Sequence, residues 1–125
     1  MVTHGIIVSA AVLATTVTFE ARTADAHAFL DHAIPAVGST LPTAPETVTM
    51  WFTQQLEPAF TTATVTDASG NNVDAGPARI DPKDPTELRM ALKKLSPGTY
   101  TVSWRALSVD THTTTGHFTF TVGSG

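Results

Sequence analysis

From residue 47 to residue 122, apolar and polar side chains alternate in short runs broken by turn residues. Thr47-Val48-Thr49-Met50-Trp51-Phe52-Thr53 is rich in β-branched and aromatic side chains, with Val48, Met50 and Phe52 on one face. Thr62–Thr66 repeats the alternation, and Asp67-Ala68-Ser69-Gly70-Asn71-Asn72 then supplies turn chemistry. Further alternating runs cover Thr86–Leu92, Thr99–Arg105 and His117–Val122, the second opened by the tight turn Ser96-Pro97-Gly98. Asp81-Pro82-Lys83-Asp84-Pro85 reads as a loop, because closely spaced prolines do not fit a central strand. Residues 27–125 hold no sustained helical period. Short strands at this spacing predict an all-β sandwich. Its expected core is Val48, Met50, Phe52, Val65, Leu88, Tyr100, Val102, Trp104, Phe118 and Phe120.

The first 26 residues follow a different pattern. Gly5–Phe19 is apolar or small and uncharged, shorter than the roughly 20 residues a membrane-spanning helix needs. It leads to Ala24-Asp25-Ala26, a small-x-small site of the kind signal peptidase reads. The expectation is a signal peptide at 1–26 and one mature domain at 27–125. A buried N-terminal strand or helix is the competing reading, and the n-region is weakly charged, with His4 and the amino terminus alone. Without Glu20, Arg22 and Asp25 the net charge moves from −4 to −3. The mature part is therefore mildly acidic and lacks the basic footprint that phosphate binding requires, which argues against a nucleic-acid partner. The chain has no cysteine, so an exported domain must hold together without disulfides. No second apolar stretch approaches spanning length, so no fused membrane domain is expected.

Cleavage after Ala26 would make His27 the first residue. An N-terminal histidine offers its α-amine and ring Nδ1 together, which close a chelate ring on a metal. Asp110-Thr111-His112, if extended, would project a carboxylate and an imidazole from one face. Three nitrogens and one oxygen make a tetragonal donor set suited to Cu(II), which also heads the affinity order of divalent ions. Soft Cu(I) prefers sulfur, and residues 27–125 contain only Met50 and Met90 as sulfur donors. Each signal also has a plain reading: Asp-x-His as a solvated turn pair, and His27 as an accident of the cleavage pattern.

The segment Trp104–Gly116, closing with Phe118–Val122, resembles the C-terminal signature of the CopC copper-resistance proteins, W-R-x-x-S-x-D-x-H-x-x-x-G-x-x-x-F-x-V. His27-Ala28-Phe29-Leu30 and Pro35-Ala36-Val37-Gly38-Ser39 are similar to that family's mature start, H-x-x-L then P-x-x-G-S/A. Leu95–Tyr100 matches its L-x-x-G-x-Y turn. The resemblance implies an immunoglobulin-like Greek-key β-sandwich or barrel of about seven strands, in the periplasm, binding Cu(2+). The ligands it implies are His27, Asp110 and His112. Phe52-Thr53-Gln54 stands where some members carry F-S-E, so Gln54 replaces an acid near the site. The Met-rich Cu(I) segment of other members is also missing, which likens this chain to the single-site, Cu(II)-only type. His32 and His117 are the remaining histidines of the mature part. His32 could reach the same region as His27, whereas His117 is expected to face solvent. Arg105 is expected to orient a nearby carboxylate.

These readings point to a non-enzymatic protein that sequesters, carries or confers resistance to copper, the family often working beside an inner-membrane copper transporter. Two other classes stay open. One is a copper-dependent oxidative enzyme with a histidine brace, against which stand the small domain and the few aromatic residues outside the core. The other is a sandwich that binds another protein, with no metal role.

Overall fold

A computed structural model describes residues 28–123, and they form eight strands in two four-stranded sheets. The strands are β1 Leu30–Ile34, β2 Thr40–Leu41, β3 Thr47–Phe52, β4 Thr62–Thr66, β5 Arg79–Asp81, β6 Asp84–Ala91, β7 Gly98–Leu107 and β8 Thr113–Val122. One sheet has the order β1-β3-β6-β5 and the other β2-β8-β7-β4. All pairings are antiparallel except the short parallel contact of β2 with β8. The chain passes repeatedly from one sheet to the other, as in Greek-key sandwiches.

The five alternating runs are all strands. The short strands β1, β2 and β5 lie at sheet edges; β2 and β5 carry too few residues to show a period, and a bulge between Leu30 and His32 breaks that of β1. They raise the count above the expected seven. The loop expected at 81–85 shrinks to the turn Pro82-Lys83 of the β5–β6 hairpin. Pro85 belongs to β6, but it precedes Glu87, where pairing with β3 begins, so its missing N–H costs that ladder nothing.

All ten expected core residues are buried. On β7 the inward set is Tyr100, Val102, Trp104 and Ala106, alternating with outward residues as the pleat requires. The sheets meet where the Phe52 and Trp104 rings contact edge to face, at 5.1 Å and 79°. Tyr100 packs its ring on Phe120 and donates its hydroxyl to the carbonyl of Ser96. Met50 and Met90 both lie in the core. One close approach demands a glycine. Gly116 on β8 faces Trp104 on β7, and a β-carbon there would come within 2.4 Å of the indole.

The β7–β8 hairpin runs in unbroken register from Gly98↔Val122 to Leu107↔Thr113. Its closing loop, residues 108–112, juts from one end of the sandwich. At that end Ser108 makes an isolated bridge to Leu56, on the segment leaving β3. Among the described residues no helix is long and apolar enough to cross a membrane.

Candidate metal centre

Asp110 and His112 sit together in the closing loop of the β7–β8 hairpin. His112 Nδ1 lies 3.4 Å from Asp110 Oδ1, and the side chains are 50% and 39% exposed. The extended geometry expected for Asp110-Thr111-His112 is corrected: the segment is a turn. Thr111 adopts φ 75°, a left-handed conformation that β-branched residues rarely take. The N–H groups of Ser108 and Thr111 close the loop on the carbonyls of His112 and Ser108, at 3.0 and 2.9 Å. A five-residue connection between paired strands must reverse direction, so the two side chains meet through a bend rather than through pleat alternation.

Ser108 is 1% exposed and supports the pair from beneath. Its hydroxyl donates to Asp110 Oδ1. That bond, with a smaller contribution from His112, outweighs desolvation and holds the Asp110 carboxyl below its ordinary value. The lowered value extends to more acidic pH the range over which this carboxylate is ionised, the form in which a carboxylate can bind a metal.

The chain's path before β1 converges on the same end. Ala28 is fully buried, and Thr114, two residues after His112, donates its hydroxyl to the Ala28 carbonyl. Phe29 is clamped on both sides. Its N–H donates to Thr53 Oγ1 at 3.0 Å, and its carbonyl accepts from Thr53 N–H at 2.8 Å. Residues 28 and 29 therefore cross between β8 and the end of β3. His27 itself lies outside the described residues.

The other histidines stand apart from the pair. His32 is exposed on β1, stacked on Trp51 at 4.5 Å and paired with Asp31 at 2.7 Å. His117 is exposed on β8, opposite Ser103. Among the described residues no three His, Cys, Asp or Glu side chains gather as a metal cluster, so Asp110 and His112 supply two donors. Gln54 is half-buried, and the carbonyl of the next residue, Gln55, accepts from Val109 N–H at 3.1 Å. Arg105, expected to orient a carboxylate, is instead exposed between Thr62 and Thr115 and makes no ion pair among the described residues. Facing outward on β7, it stands directly opposite a threonine on each neighbouring strand.

Sequence reasoning found Asp110 and His112 and missed what supports them. Ser108 entered only as a fixed letter of a pattern, and Thr114, Thr53 and Ala28 carried no signal. Their roles arise from contacts between segments far apart in the chain.

A sandwich with a carboxylate–imidazole pair on the β7–β8 loop defines a class, and comparison with known proteins agrees. Residues 30–123 match the CopC domain. The chain belongs to the CopC family. It is 40% identical over 98 residues to Protein YobA of Escherichia coli strain K12, covering 78% of this chain and 79% of that one. The crystal structure of CopC from Methylosinus trichosporium OB3b superposes with a TM-score of 0.73 at 32% identity, covering 78% of this chain and 94% of that chain. PcoC, described as a methionine-rich copper resistance protein from Escherichia coli, gives 0.64 at 36% identity, covering 78% of this chain and 99% of that one.

Proposed function

We propose that this protein binds Cu(II) as cargo in the periplasm and sequesters or carries it, with no catalytic step. The reading includes removal of residues 1–26, which lie outside the described residues, so that His27 becomes the amino terminus. Its α-amine and ring, the Asp110 carboxylate and the His112 imidazole would then make an N₃O donor set.

The hydrogen bond from Thr114 to the Ala28 carbonyl carries this reading. It ties the residue after His27 to the strand that follows Asp110 and His112, and one peptide step spans only about 3.8 Å. The two described donors fit an N/O metal of Cu(II) type. Both methionines of the described residues are buried in the core, which favours Cu(II) over sulfur-seeking Cu(I).

The pair sits on an exposed loop, where cargo can be exchanged with another protein. The cleft of about 670 Å³ beside the loop is bordered by Val109 and includes neither Asp110 nor His112. Tyr100 and Trp104 are buried, and Trp51 is covered by His32, so these aromatics offer no open platform next to the pair for a polymer substrate. An inner-membrane copper transporter fits as the partner that receives or supplies the ion.

Competition titration of the chain beginning at His27 against a Cu(II) chelator tests the proposal. One tight equivalent should bind, and Asp110→Ala and His112→Ala should each weaken it by 10-fold or more. Unchanged affinity in both variants would sink the assignment.

A further inference from the structure

Among the described residues the Ser108 hydroxyl reaches two acceptors, Asp110 Oδ1 and the His112 carbonyl at 3.2 Å, and it has one proton to give. The His112 carbonyl already accepts the Ser108 backbone N–H at 3.0 Å. The carboxylate contact is charge-assisted and the His112 carbonyl already has a donor, so the proton is assigned to Asp110. Ser108 itself cannot wander: it is 1% exposed, directly follows Leu107, the last residue of the unbroken β7–β8 register, and bridges to Leu56. A rigid buried donor thus holds one oxygen of an exposed carboxylate whose own backbone lies in a turn.

We infer that Ser108 is a positioning residue that makes Asp110 a one-oxygen ligand. By holding Oδ1, it leaves Oδ2 as the oxygen offered to Cu(II) and fixes the carboxylate plane relative to the His112 ring. This inference rests on the copper reading above. Supporting hydrogen bonds of this kind typically change metal affinity by 10–100-fold when removed. Without the hydroxyl, the carboxylate can rotate about its side-chain bonds and present both oxygens or neither.

The test compares Cu(II) affinity and the electron paramagnetic resonance spectrum at one equivalent of copper. It uses chains beginning at His27 that carry Ser108→Ala, Ser108→Thr, Asp110→Ala, or Ser108→Ala with Asp110→Ala. Ser108→Ala should weaken binding by about 10–100-fold and change the g and hyperfine values. Ser108→Thr keeps the donor and should keep the wild-type spectrum even if its added methyl lowers the melting temperature. On the Asp110→Ala background, Ser108→Ala should have no further effect on affinity. A wild-type spectrum and affinity in Ser108→Ala would overturn the inference. So would spectra of the two single Ser108 variants that follow melting temperature rather than the hydroxyl. Should Ser108→Ala fail to fold, an altered spectrum in folded Ser108→Thr is the overturning result and a wild-type one the supporting result. Absence of copper binding by the unsubstituted chain would refute the copper reading itself, a distinguishable outcome.

Discussion

Replacing Gly116 by alanine probes the packing of Trp104 between the two sheets. The new β-carbon would lie 2.4 Å from Trp104 Cζ2, 2.8 Å from Cε2 and 3.2 Å from Cη2. Carbon atoms sit comfortably at about 3.5–4.0 Å, so the indole must retreat by roughly 1 Å. It has little room to do so. Trp104 is 9% exposed, and its ring meets Phe52 of the opposite sheet. Overpacking of this kind costs about 1–3 kcal/mol. Gly116 has no positive φ to lose, so alanine recovers roughly 0.4–1 kcal/mol by restricting the unfolded chain. The expected net loss is about 1–2 kcal/mol, a fall in melting temperature of roughly 5–15 °C for a domain of this size. Thermal unfolding followed by circular dichroism measures it, and Trp emission reports whether the indole moves. The penalty should shrink when Trp104→Phe supplies a smaller ring, and the cycle isolates the pairwise clash. A Gly116→Ala protein as stable as wild type, with unchanged emission, would refute the packing argument.

Thr114→Val removes the donor to the buried Ala28 carbonyl at nearly constant shape; it should cost about 1–3 kcal/mol and also weaken Cu(II) binding. Unaltered copper affinity would show that the 28–29 segment does not orient a ligand. Copper affinity should fall between neutral and mildly acidic buffer, because imidazole and amine, with reference values of about 6.5 and 7.7–8.0, must lose protons to bind. A flat profile over that range contradicts the donor set. Asp67 accepts hydrogen bonds from the N–H groups of Asn71 and Ser69, and the Asn71 bond leads in lowering its pKa. A lowered folded value means this stabilisation is present above the unfolded value of about 3.9 and is lost as pH falls through the folded one. Asp67→Asn should therefore flatten the acid limb of a stability–pH curve, and an unchanged limb would rule that contribution out.

Much of this fold can be read from period-two patterning, and the reason is physical. Strands such as β7 bury one face deeply and expose the other, so Tyr100, Val102 and Trp104 alternate with Thr101, Ser103 and Arg105. The edge strands β1, β2 and β5 do not show this contrast. In β1 a bulge between Leu30 and His32 breaks the alternation, and the exposed His32 stacks on Trp51. The Asp110–His112 pair was legible because both residues lie within one short loop, where sequence distance limits spatial distance. The bend that joins them was not, since nothing in Val109-Asp-Thr-His announces a left-handed threonine. Least legible was the support of the site. Ser108 reaches Asp110 because the hairpin register stops at Leu107, and Thr114 reaches Ala28 across 86 residues of chain.

Whether the amine of His27 is a copper ligand is decided by comparing two amino termini. Cu(II) titration by electron paramagnetic resonance would be run on the chain beginning at His27 and on the same chain retaining Ala26. A single tight tetragonal signal is expected for the first and its loss or marked weakening for the second, because Ala26 converts the amine to an amide. Equal binding with identical spectra would contradict the account and remove the amino terminus from the site.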